Sequence, residues 1–305
     1  MNNTELLQKQ FAAISKAGND VTLRSDNARA FVLDVVSGQA TLQKLPPYFA
    51  KSSTGSIDKL GVKRRTMRTH KGTATTPTGS VIAEGSSVSF TLSPFYVDAW
   101  IENSNVFYTA QTRGQDVRQA LTTLMQQQFG SDLQDLAFNG DTASRDEFLN
   151  QKDGFIKKAQ TGAVIKLKPT TLPTIETLTT DVVGGFDSKY INSNFKWFMS
   201  LKTATHYVAE IQSRATNLGD VAIVNGQLTN IAGFAVEVVD NFPDKVVLFS
   251  PFENLTPVLG YEVKMQTAAA DPTSIAKQAT YHFVLTSADF VIRELKMVGV
   301  VTVTP

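Results

Sequence analysis

Cysteine is absent from the 305 residues, which excludes disulfide staples, thiolate nucleophiles and cysteine-ligated zinc and leaves the redox compartment open. An excess of charge of one sign is missing too, since 29 Lys and Arg face 28 Asp and Glu for a formal net charge of +1. The molecule as a whole therefore carries no field that would draw in nucleic acid or a membrane surface, and any affinity for phosphates has to be local. No apolar run reaches the length of a membrane span. The stretch from Met1 to Gln10 is polar and lacks the positive start and apolar core of a signal peptide, so export by that route is not expected. His70, His206 and His282 lie far apart, none with a partner at ligand spacing, and no metal role is expected of them. Neither Gly-x-Ser-x-Gly nor Gly-x-x-x-x-Gly-Lys-Ser/Thr occurs, and carboxylates such as Asp132 and Asp135 fall at helical positions expected to be solvated. Neither catalysis nor a cofactor is expected.

The chain does carry an ordered series of patterns, and it is long enough to bury about three quarters of the surface its unfolded form exposes. From Thr4 to Lys16 the residues Leu6, Leu7, Phe11 and Ile14 recur at helical spacing, with Thr4 as cap and Gly18 and Asn19 as the stop. A second helical piece is expected from Asp26 to Val36, and Pro46 and Pro47 interrupt the stretch after it. Residues 1–55 read as an arm without a core of its own. Residues 56–93 are poor in large apolar groups, rich in Thr, Ser, Gly and Lys/Arg, and carry a turn at Thr76 to Gly79, the pattern of a long projecting β-hairpin. A hairpin this polar is marginal in water alone and has to lie against something larger.

Within that hairpin Lys63, Arg64, Arg65, Arg68 and Lys71 concentrate positive charge with few compensating acids. Such a cluster is an electrostatic footprint for phosphates or for an acidic protein surface, or else a solvated hairpin. It holds no aromatic residue on which bases of a single strand could stack. Next, Val97 to Tyr108 alternates as a strand, and after Gly114 a long helical signal places Val117, Leu121, Leu124, Met125, Phe129, Leu133 and Leu136 on one apolar stripe. Gly130 interrupts that stripe at a cost of about 1 kcal/mol relative to Ala. A short helical piece lies between Asp146 and Ala159. Pro173 opens another with Ile175, Leu178, Val182 and Val183, closed by Gly184 and Gly185 as a helix stop or a hinge. Compact α/β structure comes next: a strand from Phe195 to Met199, a helix from Thr203 to Ala215, and strands around Ala222, Ala235 to Val239 and Lys245 to Phe249. Closing strands are expected at Leu259 to Thr267, Tyr281 to Leu285 and Phe290 to Val303.

This order resembles the major capsid proteins of tailed bacteriophages with the Hong Kong 97 fold. Phe138, Asn139, Gly140 and Asp141, followed by Phe148, Leu149 and the Asp153, Gly154, Phe155, Ile156 cluster, are similar to a passage that recurs in that family. So are the run Ile231, Ala232, Gly233, Phe234, Ala235 and Val236, the segment from Val246 to Leu255 with Pro251, Phe252, Glu253 and Asn254, and the late Asp289, Phe290 and Val291. The resemblance covers nearly the whole chain, and its weight lies in the order of the motifs. It implies an α+β fold with an N-terminal arm (1–55), an extended β-hairpin or E-loop (56–93), a P-domain with a long spine helix (94–172), a compact α/β A-domain (173–256) and return strands of the P-domain (257–305).

The implied function is structural and not enzymatic: self-assembly as pentamers and hexamers into an icosahedral shell around double-stranded DNA, held without sequence preference. Scaffolding, portal and decoration proteins are further candidate partners, no membrane is involved, and the place is the virion, after assembly in the cytoplasm of a bacterial host. Intersubunit contact then falls to the hairpin cations Lys63, Arg64, Arg65, Arg68 and Lys71 and to Leu6, Leu7, Phe11 and Ile14 of the arm. The Val117, Leu121, Leu124, Phe129, Leu133 and Leu136 stripe faces the core of its own subunit. No long charged helical extension precedes the arm, which implies a separate scaffold or none, and no partners for covalent cross-links between subunits are matched. Two other readings stay open: an encapsulin-like compartment of the same fold, and a nucleic-acid-binding protein that uses the basic hairpin.

Overall fold

A computed structural model describes residues 21–22, 34–36, 38–62, 72–74, 83–102, 117–213, 223–224 and 227–304. In chain order the strands are β1 (Val21–Thr22), β2 (Tyr48–Ala50), β3 (Thr54–Val62), β4 (Ala83–Thr91), β5 (Ser93–Glu102), β6 (Ile165–Leu167), β7 (Phe195–Met199), β8 (Ile223–Val224), β9 (Gln227–Leu228), β10 (Asn230–Ile231), β11 (Phe234–Val238), β12 (Val246–Pro251), β13 (Leu255–Gly260), β14 (Lys264–Ala268), β15 (Ala279–Ile292) and β16 (Gly299–Thr302). The helices longer than one turn with α geometry throughout are, among the described residues, α1 (Val117–Asn139), α2 (Phe155–Gly162), α3 (Leu201–Gln212) and α4 (Pro272–Lys277). Among the described residues these strands form one sheet in the order β1-β14-β15-β13-β2, with β5 on the other side of β15, a second sheet in the order β10-β11-β7-β12-β16-β6, a β3-β4 ribbon and a short β8-β9 pair.

The central strands β7, β12 and β16 of the second sheet are buried on both faces, which explains why they read as largely apolar runs. Because side chains alternate along a strand, Phe198, Leu248 and Val300 enter one core, and Trp197, Phe249 and Val301 enter the other. The first core is closed by α1, whose Phe129, Leu133 and Leu136 recur at i, i+4 and i+7 and are buried. Phe138 at its end meets the rings of Phe155, Phe198 and Phe242 at centroid distances of 5.6, 6.1 and 5.7 Å. The second core is closed by α3, whose N-terminus is capped by Ser200 accepting from the Thr203 amide. There Trp197 stacks on Phe249 at 4.1 Å and donates to the Ile231 carbonyl at 3.1 Å. The chain crosses from the second sheet to the first at a corner held by buried Asn254, which donates to Ser250 Oγ and the Glu294 carbonyl and accepts from the Glu294 amide.

Several expectations are corrected. Residues 34–50 do not lack a core, since Val35, Val36, Leu42 and Leu45 are buried in the α1 core and β2 runs parallel to β13. Apolar side chains too sparse to show a period are enough when another element supplies the surface they cover. The closing stretch expected from Leu259 to Thr267 divides into β13 and β14, while the two pieces expected at Tyr281 to Leu285 and from Phe290 onward join as the 14-residue β15. The short helix α4 was not anticipated; Asp271 caps it by accepting from Thr273 and Ser274, with Pro272 in its first turn. The helix opened by Pro173 begins at Ile175 and widens into a π-turn over Leu178–Val183 before it ends at Gly184. The helical piece before Val36 is described from residue 34 onward, and the N-terminal helix lies outside the described residues.

The glycine within α1 has a structural cause. A Cβ at Gly130 would lie 2.9 Å from the Val35 carbonyl oxygen and 3.2 Å from the Gln39 side chain. The segment that carries Val35 and Val36 therefore approaches the helix backbone more closely than any other residue permits. Gly130→Ala is expected to lower the urea midpoint by the equivalent of about 1–3 kcal/mol, although in a free helix the same change gains about 1 kcal/mol. A raised midpoint would mean that the segment yields without cost.

Candidate functional site

The β3-β4 ribbon pairs in register from Thr54↔Thr91 to Val62↔Ala83. It has no third strand among the described residues, and its hold on the molecule is at its root and along its near half, where Ile57 and Val88 pack on the body and Lys59 pairs with Glu294. At the root Phe90 packs with Ala50, Val258 and Val291 in a small core of its own, and Tyr48 lies 5.9 Å from its ring. The Leu92 amide donates to the Ser53 carbonyl at 2.7 Å and ties the two ends of the ribbon together.

Beside this cluster sits Asp289, 3% exposed, near the end of β15. Its carboxylate accepts from the Thr91 amide at 2.9 Å, the Phe290 amide at 2.8 Å and Lys158 Nζ at 3.0 Å, and Lys152 Nζ lies 3.6 Å away. Lys152 also donates to the Thr91 carbonyl at 2.6 Å, and Lys158 to the Phe290 carbonyl. A charge this deeply buried is tolerated only when paired and hydrogen-bonded, and breaking such a pair costs about 3–5 kcal/mol. Across the ribbon, Lys59 pairs with Glu294. Burial pushes the Glu294 carboxyl up, but the hydrogen bond from Lys59, the Lys296 amide and the charges of both lysines bring it below the ordinary carboxylate range.

Between β4, α2 and residues 291–296 lies a groove of about 590 Å3 whose walls include Val88, Lys157, Lys158, Arg293 and Leu295. Among the described residues there is no group of three or more His, Cys, Asp or Glu that could hold a metal, and no helix long and apolar enough to cross a membrane. On the face that β5 and β15 turn outward, Tyr96 stacks on Phe283 at 5.4 Å and Trp100 meets Tyr281 at 4.9 Å, with Lys277 Nζ 4.2 Å above the indole.

The structure places the residues singled out in the sequence unevenly. Phe129, Leu133 and Leu136 face the core, whereas the side chains of Val117, Leu121 and Leu124 on the same helix lie outside the described part. Lys63, Arg64, Arg65, Arg68 and Lys71, and Leu6, Leu7, Phe11 and Ile14, also lie outside the described residues. His206 is exposed on α3. Asp132 and Asp135 are partly buried, not freely solvated, and burial raises the Asp132 carboxyl with a further push from Asp135, against a hydrogen bond from Gln128. The Asp289, Lys152 and Lys158 clamp was missed, and its signal was a lone acid inside the apolar run from Ala288 to Ile292.

No protein-family model matches the chain. Over 244 residues it is 23% identical to the putative prophage capsid protein YqbE of Bacillus subtilis (strain 168), an alignment covering 79% of this chain and 76% of that protein. Among solved structures, a chain of the satellite phage P4 procapsid including size determination (Sid) protein matches with a TM-score of 0.70 over 98% of both chains, at 14% identity. The chain has the Hong Kong 97 capsid fold. The virus-like particle from Pyrococcus furiosus matches this capsid fold with a TM-score of 0.52, over 90% of this chain and 96% of that one, at 12% identity.

Acid is expected to weaken the subunit in two steps. Burial pushes the His282 imidazole below 6.5, so the unfolded chain takes up its proton first and stability falls as the pH drops below that value. Asp141 behaves like Glu294: burial raises its carboxyl, but the Lys157 hydrogen bond, the Ala143 amide and the Lys157 charge outweigh this and lower it. Carboxyls depressed in the folded state stabilise above their unfolded values, and that contribution is lost as the pH falls through the folded ones, which sets the second step below about pH 4. Urea midpoints measured from pH 8 to 3 should show both steps, and His282→Gln should remove the first and keep the second.

Proposed function

We propose that this chain is the major capsid protein of a tailed phage or prophage, which assembles with itself through rings of five and six into an icosahedral shell around double-stranded DNA. The observation that carries this is the match to a procapsid chain over 98% of both lengths. The prophage capsid relative, which covers 79% of this chain, supports it independently by sequence. In this reading the work is done by shape and mass action. Each contact joins different patches of neighbouring copies, so closure depends on the angle between subunits. Residues 1–55 act as the arm, with 34–50 anchored in the body, and the β3-β4 ribbon is the E-loop. Residues 94–172 and 257–305, built on α1 and the first sheet, form the P-domain, and 173–256 form the A-domain at the ring axes.

The hairpin cations Lys63, Arg64, Arg65, Arg68 and Lys71 bind carboxylates of the adjacent subunit, where guanidinium groups pair in bidentate fashion. Leu6, Leu7, Phe11 and Ile14 lay an apolar helix face on a neighbour. DNA is enclosed without sequence recognition, scaffolding, portal and decoration proteins are further partners, and the protein resides in the virion after assembly in the host cytoplasm. An encapsulin-like compartment of the same fold is the second reading. Protein cargo in place of DNA inside the purified shell would decide for it.

Negative-stain electron microscopy and sedimentation of the protein at low and high salt should reveal closed polyhedral shells or tubes built of rings. A monomer that binds duplex DNA with an affinity falling steeply with salt would instead support the nucleic-acid reading. Replacing Arg64, Arg65 and Arg68 together by Ser should reduce shell yield and salt resistance with the subunit's urea midpoint unchanged, and removing residues 1–16 should lower the temperature at which shells fall apart. Unaltered shells in both variants would remove the hairpin cations and the arm from the assembly contacts.

A further inference from the structure

We infer that Asp289 is a positioning residue for the hairpin: its clamp on Thr91 sets the direction in which the β3-β4 ribbon leaves the body, and with it the curvature at which subunits join. The second half of this statement rests on the capsid reading, and the first half does not. β5 pairs with β15 as far as Ser93↔Ala288, and one residue earlier in the chain the backbone turns away at Leu92. At that point the ladder has no further strand partner to offer. The next residue of β15 is Asp289, and its side chain takes the place of one by accepting the Thr91 amide at 2.9 Å. Lys152, paired to the same carboxylate, takes the Thr91 carbonyl at 2.6 Å. Both backbone groups of the last hairpin residue are thus held by one ion pair.

The apolar contacts at the root could not do this alone. Burial of Phe90 against Ala50, Val258 and Val291, with Ile57 and Val88 packed beside it, resists separation, but hydrophobic contact is non-directional and does not by itself fix the angle of departure. Hydrogen bonds to a carboxylate fix direction as well as distance. Lys158 braces the clamp from α2, a helix packed in the α1 core through Phe155, Ile156 and Ala159, so the ribbon is referenced to the core of the body. Lys59 and Glu294 tie β3 to the segment after β15 and oppose a swing toward the other side.

The absence of native cysteine permits a direct measurement. Ser87→Cys on β4 and Thr205→Cys on α3, both exposed positions, would carry a pair of spin labels whose separation in the unassembled subunit is read by pulsed electron paramagnetic resonance. The expected result is one narrow distance distribution with Asp289 intact and a distribution at least twofold broader with Asp289→Asn, which keeps the shape and removes the charge. Lys152→Met, at a partly exposed position, should broaden it in the same sense and serves if the Asn variant folds poorly. Shells assembled from Asp289→Asn protein should spread in diameter. Equal widths with and without the clamp, or broadened widths with unchanged shell diameters, would overturn the inference. Failure of the unaltered protein to form shells would instead count against the capsid reading, with the distance widths still deciding on the clamp.

Discussion

A sheet that is buried on both sides has to satisfy two cores with one backbone, and β7, β12 and β16 are under that constraint. Phe198 and Leu248 point toward α1, and Trp197 and Phe249 point toward α3. A slip of one residue in any of these strands would exchange the two sets of side chains and unpack both cores at once. The register is therefore held twice over, and everything attached to the sheet inherits that certainty. Its connection to the first sheet runs through the Asn254 corner, whose hydrogen bonds reach across to Glu294. From there β15 carries the same rigidity along its 14 residues to the hairpin root and to the outward aromatic face.

Patterns with a strong local period were legible in the sequence. The α1 stripe, the apolar strands from Phe195 and Val246, and the sparse polar ribbon can each be read from spacing and composition alone. Elements whose order depends on distant partners were not. Val35 and Leu42 look like isolated apolar residues in an arm until α1 supplies the surface they cover, and Gly130 looks like a defect until the close approach of that segment is seen. The division between β13 and β14, and the continuity of β15, depend on which neighbours pair with each stretch, and this carries no local signature.

The same limit applies to the functional surfaces. The charged residues with an evident pattern, the cations from Lys63 to Lys71, stand out because few acids lie near them in the sequence. The charges that organise the hairpin root stand out much less, since Lys152 and Lys158 are separated from Asp289 by more than a hundred residues of chain and join it as a unit by folding. A lone acid within an apolar strand was the available clue. It means something only once its partners are located, because an unpaired carboxylate could not remain there.

The way Thr91 is held separates two properties of the hairpin that are easily taken as one. Aim is decided at the root, by groups that belong to the body. Reach, in the capsid reading, would follow from how many residues the chain places between Val62 and Ala83, where the described ladder ends. Lengthening, shortening or decorating that far end changes how much of a neighbour can be touched, while the line of approach stays the same. In the capsid reading, such an arrangement would let one body serve shells with different contacts between subunits, as a bracket of fixed angle accepts arms of different length.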